Sequence, residues 1–380
     1  MRNDIPYQIC SKTVMDTSDS RITFNDDGVC DHATDFFDNV LPKLNSLENR
    51  KIELERIVEE IKRKGKGQEY DSILGLSGGL DSSYMLHVAV KELGLRPLVF
   101  HVDCGWNTDN AVHNIKVLID SLGLDLYTDV VNWEQMKDFQ LALFKSGLPH
   151  IDIPQDQSFI TALYKYANKF KIKYILNGGN ISTEGVRNPL EYFYHGTDMI
   201  HLNHIIKKFA IGKLNELNIS SIYWNKIYLR YVKGLKVIKP LNYINYLKED
   251  ATFLLKRKYD WKPHKQKHFE SRFTRFHEGF WLLERFGFDT RRVQLSSLIL
   301  SNQITRDEAL SILSEPPLDK DTIRNEFEFI ARKLDISIKE LESFFNMPKK
   351  FYWDYPNQNK VFKWGGEFLK RFGSEFAIKR

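Results

Sequence analysis

Only three cysteines, Cys10, Cys30 and Cys104, occur in 380 residues. So few thiols cannot build a disulfide framework. No apolar run approaches the roughly eighteen residues that a membrane-spanning helix needs. The opening "MRNDIPYQICSK" carries no apolar core of the kind found in a secretory signal. A cytoplasmic protein without a membrane span is expected. Strong charge of one sign is missing as well, since 55 Lys and Arg face 50 Asp and Glu for a net +5. Nucleic acid usually demands a continuous basic face, so it is not the expected partner. Nor is there a bias toward disorder, because hydrophobic residues make up 42% and aromatics 13%. A chain of this length and composition should bury real cores in two or three packed units.

What is present is an alternation of short apolar runs with amphipathic stretches. Residues 1–35 read as a turn-rich lead-in, with "NDDG" at Asn25 to Gly28. Residues 36–64 read as helical, with Leu44, Leu47, Ile52, Ile57 and Ile61 near helical spacing. From Asp71 onward "SILGL", "RPLVFHVD", "LDLYTDVV" and "KYILNGG" read as buried strands separated by helical segments. Such alternation predicts βαβ units, an α/β fold and a doubly wound parallel sheet. Beyond about residue 245 the pattern turns helical, with capping boxes at Thr305–Glu308 and Ser337–Glu340. The expected divisions are a lead-in at 1–35, a nucleotide domain at 36–245 and a mainly helical region at 246–380.

The segment "YDSILGLSGGLDSSYMLHVAV", Tyr70 to Val90, breaks an apolar strand with small residues before a helix. An open α/β sheet binds ligands outside the carboxyl ends of its strands, which is where this turn falls. Gly78 and Gly79 let backbone N–H groups approach an anion, and Ser77, Ser82 and Ser83 add hydroxyls. The helix that follows adds unsatisfied N–H groups and a positive dipole end. The common phosphate loop needs a lysine after its last glycine, and Asp81 stands there instead. An acid beside a phosphate nest implies a bridging divalent cation, Mg²⁺. The basic and aromatic stretch "KRKYDWKPHKQKH", Lys256 to His268, is a second candidate for contact with an anionic ligand.

S-G-G-x-D-S at a first strand-to-helix turn resembles the signature of the N-type ATP pyrophosphatases, the PP-loop superfamily. That resemblance implies an adenine nucleotide alpha hydrolase-like fold and cleavage of ATP between its α- and β-phosphates. Ser77 and Asp81 would then act in catalysis. Ser77, Gly78, Gly79, Asp81, Ser82, Ser83 and Asp103, with Gly178 and Gly179, would line the ATP and pyrophosphate site. The segment "LNGGNISTEG", Leu176 to Gly185, is similar to one that supplies a second acid to the metal in NAD synthetase-like enzymes. By that match Glu184 joins Asp81 on Mg²⁺.

A longer resemblance covers about residues 7–345. "MDTSDSRITFNDDGVCDH", "HVDCGWNTDNAVHNI", "DLYTDVVNWEQMKDFQLALFKSGLP", "IPQDQSFITALYKYANK" and "KHFESRFTRFHEGFWLLERFGFDTRR" together look like the N-acetyl sugar amidotransferase family of bacterial surface-polysaccharide biosynthesis. The resemblance implies that an acetamido oxygen on a nucleotide-linked sugar is adenylylated and then replaced by ammonia, giving an acetamidino group. It also implies partners that resemble the glutaminase and cyclase subunits of imidazole glycerol phosphate synthase. The sequence agrees in one respect, since none of its cysteines sits in a nucleophile elbow able to serve a glutaminase. A tRNA-modifying pyrophosphatase of the lysidine synthetase kind is the alternative.

The chain departs from the family at its start. Two C-x-x-C pairs, suited to structural zinc, are reduced to Cys10 with Thr13 and Cys30 with Ala33. Zinc is therefore not expected, and the cysteines read as small buried residues. His264 and His268 are not expected to hold a metal. For the sugar nucleotide the candidate contacts are Trp106, Asp156 and Glu270, with Arg272 and Arg275 as a diphosphate clamp.

Overall fold

A computed structural model describes residues 6–44, 46–217, 219–221 and 223–371. Residues 1–5 of the expected lead-in and 372–380 of the expected helical region lie outside the described residues. The centre is a five-stranded sheet of β1 (Ser72–Gly75), β2 (Pro97–Asp103), β3 (Leu126–Val130), β4 (Tyr174–Leu176) and β5 (Lys236–Ile238). All neighbours pair in parallel, in the order β3-β2-β1-β4-β5. This is the doubly wound sheet that the alternating pattern predicts. The short β5 was not legible in advance, because two of its three residues are exposed and give no apolar run.

Side chains along the inner strands alternate between two cores, as a period of two requires. Ile73, Leu98, Phe100, Val102 and Ile175 enter one, whereas Leu74, Leu76, Val99, Tyr174 and Leu176 enter the other. The second core is closed by α2 (Leu47–Lys64), α3 (Leu80–His87), α4 (Asp109–Leu122) and α9 (Lys248–Tyr259). Helix α1 (Asp31–Asp35) precedes them and runs on as a wider turn through Val40. The first core is closed by α5 (Trp133–Ser146), α6 (Ile153–Lys169) and α8 (Met199–Phe209), with the one-turn α7 (Ile181–Glu184) between the last two. It also takes Phe273 and Phe276 of α10 (Arg272–Phe276), a helix that continues as π-helix to Phe286. Ile330 of α13 (Lys320–Lys333) and Leu341 and Phe344 of α14 (Ile338–Asn346) complete it. The late helices thus share a core with the sheet.

The lead-in packs against α11 (Arg291–Leu300) and α12 (Arg306–Ser314). Arg306 Nε donates to the carbonyls of Cys10 and Thr13, and Arg292 pairs with Asp16 at 3.0 Å. Cys10 and Cys30 are fully buried beside Ala33 and Phe36, and the Cys30 N–H meets Cys10 Sγ at 3.1 Å. His32 is held by Asp19 at 2.7 Å. Helix α12 starts with the complete capping box expected at Thr305, and Ser337 caps α14 through the Glu340 N–H. The described chain ends in α15 (Asn359–Arg371). Among the described residues no helix is long and apolar enough to cross a membrane.

Candidate active site

Chain order and sheet order together decide where a site can form. The chain builds β1, β2 and β3 outward, then returns to lay β4 against the other side of β1. In an open α/β sheet a ligand crevice is expected where the order reverses in this way, at the loops after β1 and β4. Those loops are Ser77–Asp81 and Asn177–Glu184, the two segments that the sequence singles out. Two solvent-facing cavities of about 300 and 230 Å³ lie elsewhere, around Lys171 and Lys173 at the amino ends of the strands.

The glycines of the first loop are needed where they stand. Gly78 has φ +79°, and a Cβ there would fall 2.6 Å from the Ala111 carbonyl oxygen. A Cβ on Gly79 would fall 2.5 Å from Glu270 Oε1. Side chains hold the turn from inside. The Gly79 N–H donates to Ser77 Oγ at 3.2 Å, and Ser82 Oγ donates to the Gly79 carbonyl at 3.2 Å. Ser77 Oγ donates to Glu270 Oε1 at 3.0 Å. From α4, Asn114 Nδ2 donates to the Gly78 carbonyl at 3.0 Å and to the Lys262 carbonyl at 2.8 Å. His264 Nε2 donates to the same Gly78 oxygen at 3.2 Å. The loop is thus tied to the segment 261–271, which crosses in front of it.

The second loop is shaped by asparagines. Asn177 Oδ1 accepts from the Gly179 N–H at 2.7 Å, and Asn180 caps α7 through the Thr183 N–H at 2.9 Å. A Cβ on Gly178 would meet the Asp81 carbonyl oxygen at 2.8 Å. The two loops therefore touch backbone to backbone.

Asp81 and Glu184 come together in this crevice, joined by a residue that sequence reasoning missed. Lys267 Nζ lies 2.8 Å from Asp81 Oδ2, 2.8 Å from Glu184 Oε1 and 3.0 Å from Thr183 Oγ1. The Tyr246 hydroxyl donates to the other oxygen of Asp81. Burial opposes the charge on Asp81, but Lys267 and Tyr246 outweigh it and hold the carboxyl below its ordinary range. Burial likewise opposes the charge on Lys267, and Asp81 and Glu184 outweigh it, so the ammonium titrates above its usual value. His268 follows with φ +67°, and its Nδ1 lies 2.9 Å from Glu278. Burial pulls against that imidazolium, yet Glu278 raises it to about 9. His264 and His268 thus serve the Gly78 carbonyl and Glu278. The only advance signal for Lys267 was the basic, aromatic composition of its segment.

The donor set suits magnesium. Two carboxylate oxygens converge on one point, and Mg²⁺ characteristically takes one or two carboxylates and completes its shell with water and phosphate oxygens. Among the described residues no group of three or more metal-ligating side chains occurs, so a closed protein cage is not on offer. A cation held by these two carboxylates would take the place that the Lys267 ammonium occupies.

Several other candidates have different surroundings from those expected. Ser83 is fully buried, with its Oγ accepting from the Trp261 indole at 3.1 Å, so it anchors α3 from below. Trp106 is 1% exposed and packs against Trp133 and Phe273, and its indole donates to Gln140 at 3.2 Å. It is a core residue with no face left for a sugar. Arg272 and Arg275 both grip Glu326 of α13, a carboxylate 2% exposed, and the Arg272 guanidinium stacks 3.4 Å from the Phe329 ring. As placed, that pair ties α10 to α13 and does not point at the loop as a clamp. Asp103 ends β2, where its Oδ1 accepts from the Gly105 N–H at 2.8 Å. Asp156 lies 3.3 Å from His150, with its side chain 61% exposed. Glu270 alone of the sugar candidates touches the glycine loop.

Residues 270–370 match the model of the family described as LPS biosynthesis protein WbpG-like, C-terminal domain. That match begins at Glu270 and takes in α10 and the Glu326 anchor. Among solved structures, the chain is similar to NMN synthetase from Francisella tularensis, at 15% identity over 59% of this chain and 99% of that one, with a TM-score of 0.29. It is similar to NH3-dependent NAD synthetase from Campylobacter jejuni, at 16% identity over 80% and 99%, TM-score 0.29. The U34-tRNA thiolase NcsA from Methanococcus maripaludis gives 16% identity over 80% and 82%, TM-score 0.32. No curated protein matches the chain.

Proposed function

We propose that the chain is the ATP-dependent synthetase subunit of a sugar amidotransferase in LPS, O-antigen or related surface-glycan biosynthesis. It adenylylates the acetamido oxygen of a nucleotide-linked N-acetyl sugar and replaces that oxygen with ammonia. The carrying observation is the convergence of Asp81 and Glu184 beside the Ser77–Ser82 turn, with Lys267 between them. The family match at residues 270–370 supports the setting in LPS biosynthesis.

An amide oxygen is a poor leaving group, so activation has to precede substitution. In this reading the acetamido oxygen attacks the α-phosphorus of ATP and the pyrophosphate departs. Ammonia then forms the C–N bond, and the C–O bond breaks with its electron pair leaving on AMP. Splitting one hard step into two easier ones is the general advantage of a covalent intermediate. The turn at Gly78 and Gly79 and the first N–H groups of α3 receive the phosphate oxygens, and the Ser77 and Ser82 hydroxyls orient them. Asp81 and Glu184 would hold Mg²⁺, which supplies charge neutralisation for the departing pyrophosphate. Lys267, once released from the two carboxylates, remains within reach of the same phosphates and supplies a further positive charge. Ammonia would come from partner subunits resembling the glutaminase and cyclase of imidazole glycerol phosphate synthase.

The test is direct. The protein is incubated with ATP, Mg²⁺, ammonium and a panel of nucleotide-activated acetamido sugars. AMP, pyrophosphate and a sugar product lighter by about one mass unit are expected, since NH replaces O. Pyrophosphate release stimulated by tRNA and indifferent to the sugars would overturn the reading.

A further inference from the structure

The end of the sheet opposite the crevice carries a surface that the activation step does not use. Lys171 and Lys173 precede β4, and Lys233 and Leu235 precede β5. All four line the cavity of about 300 Å³, and the same Lys171 and Lys173 line the cavity of about 230 Å³ with Lys64 and Tyr174. Among the described residues none of Lys171, Lys173 and Lys233 pairs with a carboxylate. Lys173 Nζ donates instead to the Lys233 carbonyl at 2.9 Å. Asp71, the acid of the smaller cavity, is already held by Ser72 Oγ and the Arg96 N–H.

The lysines continue into an aromatic surface. Lys233 Nζ stands 5.7 Å over the Tyr228 ring, and Tyr228 stacks on Trp224 with 4.4 Å between ring centroids. Both rings belong to a π-helix, Tyr223–Val232, which is anchored by Leu229 in the first core. Leu229 also lines the larger cavity, so the helix and the lysines share that wall. Its other large side chains face solvent, with Trp224 45%, Tyr231 58% and Val232 66% exposed, and Tyr223 is exposed as well. A cluster of large apolar side chains rimmed by charge marks a surface that something covers. The charge here has one sign, since between Glu216 and Glu249 the sequence has six Lys or Arg and no Asp or Glu.

We propose that this end of the molecule docks on an anionic lipid surface, with Trp224, Tyr231 and Val232 entering the headgroup boundary and Lys171, Lys173 and Lys233 receiving lipid phosphates. Trp and Tyr, each with an apolar ring and a polar tip, suit that boundary, and flanking lysines supply the complementary charge. A second copy of the chain fits less well. A two-fold contact would set these lysines against their own copies, and Lys236 on the edge strand β5 opposes strand pairing. Because the crevice lies at the carboxyl ends of the strands, a docked molecule keeps its nucleotide site turned to solution.

The test co-sediments the full chain with vesicles of phosphatidylglycerol mixed with phosphatidylcholine, and with vesicles of phosphatidylcholine alone. Binding to the anionic vesicles is expected, with a blue shift of tryptophan emission, and it should weaken at least about tenfold between about 0.1 M and about 0.5 M salt. Trp224→Ser with Tyr231→Ser should lower the partition coefficient at least about tenfold. Lys171→Gln with Lys233→Gln should lower it roughly thirtyfold, at about fivefold per lysine. All four side chains are exposed, so both variants should keep the native circular dichroism spectrum and melting temperature. No binding to anionic vesicles, or equal binding by native and altered chains, overturns the proposal. So does binding to soluble polyglutamate or glycerol phosphate as tight as to the vesicles, which would assign the lysines to an acidic protein or a free phosphate. A concentration-dependent dimer that Trp224→Ser with Tyr231→Ser abolishes would assign the face to a second copy and overturn it equally. None of these outcomes depends on the sugar reading, which stands or falls by its own assay.

Discussion

Replacing Lys267 with Met removes an ammonium that pairs with both Asp81 and Glu184, and its consequences can be worked out in sign and size. Lys267 and Asp81 have side chains 18% and 16% exposed. Removing one partner of a buried pair costs about 3–5 kcal/mol, and partial exposure trims this to about 2–3 kcal/mol. Unfolding entropy near 2.1 cal/mol/K per residue gives roughly 0.8 kcal/mol per degree for this chain, so the melting temperature should fall by about 3 °C. The pH dependence follows from Asp81. In the native protein Lys267 depresses its carboxyl, and the pair's contribution is present above the unfolded value and lost as pH falls. In Lys267→Met burial is opposed only by the Tyr246 hydroxyl and His268, so that carboxyl rises from its native value; the deficit is largest near neutral pH and shrinks below about pH 4. The decisive measurement is thermal unfolding with and without millimolar magnesium chloride. With the Lys267 ammonium gone the two carboxylates would bind the cation with less competition, Lys239 at 3.9 Å from Glu184 being left, and occupancy at about ten times Kd is worth about 1.4 kcal/mol, roughly 2 °C. Magnesium should therefore raise the melting temperature of Lys267→Met more than that of the native chain. An equal shift in both proteins would refute the claim that these carboxylates form the cation site.

Other perturbations test the same geometry. Asp81→Asn should abolish pyrophosphate release while leaving the circular dichroism spectrum unchanged, because only one charge is removed from a shape that persists. Gly78→Ala faces both a left-handed backbone at φ +79° and the Ala111 carbonyl, so nucleotide binding by calorimetry should weaken at least about tenfold. Glu326→Ala strands two guanidinium groups between α10 and α13, each about a quarter exposed, and denaturant titration should show a loss of about 2–3 kcal/mol. His268, raised to about 9 by Glu278, gives stability that is full below about pH 6.5 and is lost as pH rises through 9. Its side chain is 44% exposed, so solvent screening limits that loss to about 1 kcal/mol or less in a pH series of melts.

Local regularities made much of the fold legible. A strand buried on both faces reads as an apolar run, which is why Pro97–Asp103 and Tyr174–Leu176 could be placed from composition alone. The turn at Gly78 and Gly79 was equally readable, because a left-handed residue and a close backbone approach leave few alternatives to glycine. Asp81 standing where a lysine is usual set this turn apart from the common phosphate loop. By contrast, aromatic and basic residues gave ambiguous signals. Trp106 at a strand end and Arg272 and Arg275 in a basic stretch suggested ligand contacts, yet each is committed to packing or to Glu326.

The sequence by itself determined the alternation of strands and helices and the glycine turn, since both follow from interactions between residues close along the chain. Tertiary structure alone decided that β4 returns beside β1, that Glu184 thereby meets Asp81, and that Lys267 from a distant segment enters between them. Those meetings depend on how helices cover the two faces of the sheet. That depends on the summed burial of many weakly specific side chains, which leaves no short-range mark in the sequence.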